Sequence, residues 1–302
     1  MVFMADIKKQ NIDYGKIYSP SKLGLFEKCP KSYHFTYLDP IYSKMKADLR
    51  KMPENIFSFF TLGRAVHNAI TLFFHAQEDD RTWENLKNTL KGTWTSEAQW
   101  NKKPPLGESG GFKTLEEERE AYNQGLLMLK KFFSIYPKNL KITYLPTPDI
   151  RHSIQDFQDL ITPINENFDI SGKFDLITEN EDESLHIIDF KTGKSEDSGS
   201  FQLKFYKVLA EEKFKRPVNK ASFFFLRSGN QKEFELDKQD VNGLKDEIIK
   251  KIDLINQTKE FEPKPSNSCK FCILKNFCSE KEKVKEFTKE IKEEDYADDL
   301  PF

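Results

Sequence analysis

Two carboxylates and an ammonium group converge in one short stretch of this chain. Residues 172–191 begin G-K-F-D-L-I, pass through an acidic link and close with H-I-I-D-F-K. The apolar runs Phe168 to Ile177 and Leu185 to Lys191 are expected strands, and Thr178 to Ser184 is the polar link of a hairpin. Side chains alternate faces along a strand, so Asp189 and Lys191 share one face and Phe190 takes the other. Asp175 joins them from the neighbouring strand. Such charges on a buried face need compensation for their desolvation. A divalent cation supplies it, and oxygen donors suit Mg²⁺ or Mn²⁺.

A second constellation is made of thiols. Cys269, Cys272 and Cys278 form C-x2-C-x5-C, and Cys29 completes the chain's four cysteines. Four thiolates are a donor set for an iron–sulfur centre or for zinc. With one ligand near the N-terminus and three near the C-terminus, metal binding would also be folding free energy.

The pattern D-x13-D-x-K, with G-K-F-D ahead of it and I-D-F-K-T-G closing it, resembles the PD-(D/E)XK nuclease superfamily. Within it, the chain looks like the RecB-like nucleases that carry an iron–sulfur cluster. That resemblance implies an α/β fold: a restriction-endonuclease-like mixed sheet flanked by helices, a helical insertion at about 75–140, and an iron–sulfur staple joining the N- and C-terminal segments. It implies a metal-dependent DNA nuclease, an exonuclease on single strands or duplex ends. Mg²⁺ or Mn²⁺ would be held by His67, Asp175, Asp189 and the carbonyl of Phe190. Lys191 would serve the attacking water, with Gln202 and Tyr206 beside the DNA strand. The cysteines would hold a [4Fe–4S] cluster, with Zn²⁺ as the alternative. Some members carry a supporting glutamate before the hairpin; residues 141–170 offer no clear match, which is a departure. The alternative function is an iron–sulfur DNA-binding scaffold subunit of a repair complex with little catalysis of its own. The intact D…D-x-K set argues against it.

The elements that must position these residues are legible around them. Phe57 to Phe74 is an expected helix, with Leu62, Val66, Ala69, Ile70 and Phe73 on one face. Gly63 and His67 are four apart on it and share a face. The resemblance singles out His67 as the metal histidine; His34, His75, His152 and His186 are taken as structural. A helix opening at Ser200 carries Gln202 and Tyr206, also four apart. Ala221 to Arg227 and Lys232 to Leu236 are strands, and Val241 to Thr258 is an amphipathic helix. Ser21 is a candidate N-cap for a helix before Pro30. Trp83, Leu86, Leu90 and Trp94, and later Tyr122, Leu126, Leu129 and Phe133, have helical spacing. Those helices either clasp a DNA channel, as insertions in the resembled family do, or pad the core; the sequence leaves both open.

The chain has 302 residues, with residues 1–280 read as one nuclease domain and 281–302 as a charged, flexible tail. No run is apolar enough to span a bilayer, and the first residues lack a signal peptide's apolar stretch, so the expectation is a cytoplasmic protein with no membrane partner. The net charge of -2 means that DNA contact must be a local basic groove. The tail ends in Asp298, Asp299, Leu300, Pro301 and Phe302. It resembles the acidic tip of bacterial single-stranded-DNA-binding proteins, which implies docking on proteins that read that tip. Folding back on the chain's own basic groove, or an idle solvated end, are the other readings.

Overall fold

The computed structural model describes residues 13–95, 102–136, 138–147, 160–196, 199–236, 238 and 240–288. The proposed tail residues Asp298 to Phe302, and His152, lie outside the described residues. The strands are β1 (Ile17–Tyr18), β2 (Ile142–Tyr144), β3 (Thr162–Pro163), β4 (Asp169–Ile170), β5 (Leu176–Glu179), β6 (Leu185–Lys191), β7 (Val218–Phe225) and β8 (Asn230–Glu235). The main sheet runs β2-β5-β6-β7-β8, and a small sheet runs β1-β4-β3. β6 is parallel to β7; the other pairs of the main sheet are antiparallel.

β6 is buried on both faces, with apolar side chains directed into a core on each. Leu185 and Ile187 enter one core with Leu203, Phe205, Val218 and Phe223. Ile188 and Phe190 enter the other with Phe132 and Phe224. β8 is the opposite case: Gln231, Lys232, Glu233 and Glu235 are exposed, the charged edge that discourages pairing with another sheet.

Helices cover both faces. Helices α1 (Pro20–Lys28), α2 (Pro30–Tyr33) and α3 (Pro40–Leu49) precede α4 (Ser58–His75). Then come α5 (Trp83–Thr93), α6 (Leu115–Ile135), α7 (Phe201–Phe214), α8 (Val241–Gln257) and α9 (Lys281–Phe287). α1, α7 and α8 pack on the first core, α4, α5 and α6 on the second. α7 is the crossover that parallel β6 and β7 require. The expected helical insertion is therefore a structural layer: Leu86, Leu90, Met128, Leu129 and Phe132 pack with α4 over the Phe190 face of the sheet.

Two local expectations are corrected. Ser19, not Ser21, caps α1, accepting from the Lys22 N–H at 3.2 Å, because Pro20 takes the first helical position. The expected strand Phe168 to Ile177 is two strands, β4 and β5, in different sheets. The break follows from Gly172, where a Cβ would stand 2.8 Å from the Tyr206 ring, so only glycine lets the chain pass α7. At the start of the segment read as a charged tail, Lys281–Phe287 is helix α9, whose Val284 is buried. Its last turn ends at Phe287.

The loop between α5 and α6 is held by a buried carboxylate. Glu118 is 4% exposed and accepts from the Leu106 and Gly107 N–H groups at 2.8 and 3.0 Å and from Trp94 Nε1 at 3.2 Å. Glu118→Ala would orphan these donors. The expected loss is about 3 kcal/mol of unfolding free energy, measured by denaturant titration, with Glu118→Gln losing less.

Candidate active site

The candidate residues gather at the C-terminal end of β6. Period-two alternation sends Asp189 and Lys191 to one face, where both are buried, and Phe190 to the other. Lys191 Nζ lies 3.1 Å from Asp189 Oδ2 and 4.9 Å from the centre of the Phe223 ring. Asp175 stands just before β5. Its Oδ2 accepts from the Phe190 N–H at 2.9 Å, and its Oδ1 lies 3.1 Å from His67 Nδ1. The N–H and C=O of one strand residue point to the same edge, so the Phe190 carbonyl faces the Asp175 side. Lys191, next along, turns its carbonyl the other way, to the Leu226 N–H.

α4 delivers His67, and Gly63 sets how closely it can approach. A Cβ on Gly63 would stand 2.9 Å from Thr192 Oγ1, directly after Lys191. α7 delivers Gln202 and Tyr206. Gln202 Oε1 accepts from Lys191 Nζ at 3.0 Å, while Nε2 donates to Asp189 Oδ1 at 3.1 Å and to Tyr206 Oη at 3.3 Å. Tyr206 Oη donates to the Lys173 carbonyl at 2.8 Å. The ammonium and carboxylate on either side fix the amide orientation. The pair that the resemblance puts beside a DNA strand also bonds Lys191, Asp189 and the Lys173 carbonyl, and Tyr206 is buried.

Burial pushes the Asp189 carboxyl up to about 7; Lys191 opposes that and the charge of Asp175 adds to it. Burial also acts on Asp175, but the His67 charge and hydrogen bond, the Phe190 N–H and Lys173 outweigh it and hold Asp175 below the usual carboxylate range. Two carboxyls are thus driven apart in protonation, the mark of a site built for chemistry or for a cation.

The donors suit a hard divalent ion. The His67–Asp175 separation of 3.1 Å matches adjacent ligands of an octahedral ion with bonds of about 2.1 Å. Among the described residues, no set of three His, Cys, Asp or Glu side chains is already gathered as a closed metal site.

Sequence reasoning missed two supports. Lys173 stands in G-K-F-D, where its carbonyl holds Tyr206 and its charge bears on Asp175. Thr192 follows Lys191 and accepts Arg227 Nε at its carbonyl, 2.7 Å away. The motif letters signalled both positions but not their contacts. His75 and His186 are structural, bonded to the Pro146 carbonyl and Ser222 Oγ. A cleft of about 570 Å³ lies between residues 53–59, the start of α6, Lys194 and Arg227. The carboxylates do not line it.

Cys29, Cys269, Cys272 and Cys278 line one small cavity with Lys31, Lys264 and Lys275. Cys29 stands where α1 ends and α2 begins. The other three lie on tight turns, Asn267–Phe271 and Lys275–Phe277, and the residues that follow them. The Lys264 and Ser266 N–H groups point at Cys29 Sγ and Cys269 Sγ, each at 3.4 Å. Burial pushes the Cys272 thiol up to about 11.

No helix among the described residues is long and apolar enough to cross a membrane. A search of curated proteins finds no match to the chain. The family model of the PD-(D/E)XK nuclease superfamily matches residues 17–279. That span takes in α1, both sheets, every catalytic candidate and the last cysteine, and the chain belongs to the PD-(D/E)XK nuclease superfamily.

Proposed function

We propose that this nuclease is a Mg²⁺- or Mn²⁺-dependent DNA exonuclease acting on single strands or duplex ends, in repair, recombination, CRISPR adaptation or phage DNA processing. The observation that carries the reading is the joined arrangement of Asp175, Asp189, Lys191 and Gln202 at the end of β6. His67, Asp175, Asp189 and the Phe190 carbonyl would hold the ion. When bound, such an ion lowers the pKa of water and neutralises phosphate charge. Lys191 orients the attacking water and stabilises negative charge developing on the phosphate. Gln202 fixes the distance between Lys191 and Asp189, and Tyr206 fixes Gln202. The test is digestion of 5′- and 3′-labelled single-stranded, duplex and flapped DNA with each metal. Intact substrate under every condition would refute the activity, and release of internal fragments would refute the exonuclease mode.

Gln202→Ala leaves every other ligand candidate in place but frees Lys191 and Asp189 to move. The expected result is a kcat lowered by about 10- to 100-fold, the usual cost of losing support behind a metal site, with KM little changed. A raised KM with unchanged kcat would return Gln202 to the strand-binding role expected from sequence.

The four cysteines support a [4Fe–4S] cluster of the RecB-like kind. Thiols from both ends of the chain share one cavity, with N–H groups and lysines to balance thiolate charge. Zn²⁺ is the alternative centre, and metal content after anaerobic purification separates the two.

A further inference from the structure

Residues 31–52 concentrate positive charge in a nearly neutral chain. Lys31, Lys44, Lys46, Arg50 and Lys51 stand against Asp39 and Asp48 alone. Both acids are engaged. Asp39 caps α3 by accepting from the Ile41 and Tyr42 N–H groups, and Asp48 pairs with Lys51 at 3.5 Å. Lys46 and Arg50 lie one helical turn apart on one face. Neither has an ion pair among the described residues. Lys46 Nζ instead lies over the Tyr37 ring, 5.2 Å from its centre, and Lys22 Nζ approaches the same ring at 5.4 Å. Surrounding protein strips water from Lys46 and Arg50 adds a like charge, which brings the ammonium down to about 8. Cations held together without a carboxylate favour an incoming anion.

Apolar surface is exposed in the same segment. Tyr37, Leu38, Ile41 and Met52 are 39%, 48%, 67% and 41% exposed. Phosphates spaced along a chain with flat bases between them match cations interleaved with an aromatic ring. The position favours a strand over an acidic protein. Directly after Met52, residues 53–59 wall the cleft that also takes in Lys194 and Arg227. Arg227 in turn holds the Thr192 carbonyl, one residue beyond Lys191.

We infer that the face formed by Tyr37, Lys46 and Arg50 is a second binding site for a nucleic-acid strand, holding it outside the cleavage site; this rests on the nuclease reading above. The test is fluorescence anisotropy of a labelled single strand in EDTA, where no cleavage occurs. Lys46→Gln/Arg50→Gln should weaken binding by about tenfold. The slope of log affinity against log salt should shrink by about 1.4, or about 0.7 for each phosphate that is no longer neutralised. Tyr37→Ala, a single surface change, should weaken binding with the slope unchanged. At saturating DNA both variants should keep the parent's kcat. Unaltered affinity and slope in a variant of an active nuclease would overturn the second site and leave the face to a protein partner. Strand binding that depends on Lys46 and Arg50 in a protein that cleaves nothing would overturn the nuclease reading and leave this site standing.

Discussion

Lys191→Ala should abolish DNA cleavage, lowering kcat by about a thousandfold or more, and Asp189→Asn should do the same. Loss of one group that meets developing charge in a dry site costs about that much. Lys191 Nζ is buried, lies 3.1 Å from Asp189 and is held by Gln202 at 3.0 Å, so solvent cannot replace it. Removing one partner of a buried ion pair costs about 3–5 kcal/mol when the other stays charged. Here Asp189 has an escape, because burial already pushes its carboxyl up to about 7 and loss of Lys191 pushes it further. The metal-free variant should therefore fold near neutrality with a protonated Asp189. The sign of its pH dependence follows. An unfolded aspartate titrates near about 3.9, so between that value and the raised one the folded state binds more protons than the unfolded state. Stability then falls as pH rises through the window. Cleavage by single-turnover kinetics and stability by denaturant titration at pH 6 and pH 8 separate the two effects. A folded Lys191→Ala protein with parental cleavage would remove Lys191 from the mechanism.

The parts of this site legible in the sequence are those set by local periodicity. Alternation along Leu185 to Lys191 places Asp189 and Lys191 together and Phe190 opposite, because strand period depends on backbone geometry alone. Helical spacing of four likewise pairs Gly63 with His67 and Gln202 with Tyr206. The strands after α7 and the helix at Val241 are readable for the same reason.

What escapes the sequence is set by contacts between segments remote in the chain. The split of the Phe168 to Ile177 run depends on the Tyr206 ring against Gly172, more than thirty residues away in sequence. Gln202 looks outward from its own helix; only the fold shows Lys191 and Asp189 filling its amide. The α5 and α6 pattern says that each helix has an apolar face. It does not say that this face meets α4 and so builds the second layer of the sandwich. Nor can alternating Lys and Glu at 281–287 announce that Val284 is buried against the cysteine turns.

Cys29→Ala should bleach the protein and loosen its C-terminal segment while the main sheet stays folded. A [4Fe–4S] centre gives a brown colour, with broad absorbance at roughly 400 nm, from cluster chemistry in general. Apolar support around the cysteines is modest: among the described residues the adjoining cores have Phe35, Leu49 and Leu274, and Phe59 with Phe271, as buried members. Direct ties across the junction among the described residues include the Lys31 N–H to the Glu262 carbonyl at 3.2 Å, Lys264 Nζ to the Glu27 carbonyl at 3.2 Å and the Phe261 ring against Phe26, Tyr33 and His34. A centre bonded to Cys29 and to Cys269, Cys272 and Cys278 closes a loop containing both sheets, so its loss should cost at least about 4 kcal/mol, the scale of a crosslink across a long loop. The main sheet has its own two cores on either face and does not need the staple. Limited proteolysis should therefore cut Cys29→Ala after α8, at residues 258–280, and leave a resistant fragment carrying β5 to β8. A variant as brown and as protease-resistant as the parent would remove Cys29 from the centre. A colourless parent protein with one zinc per chain after anaerobic purification would replace the cluster with zinc and leave the stapling argument intact.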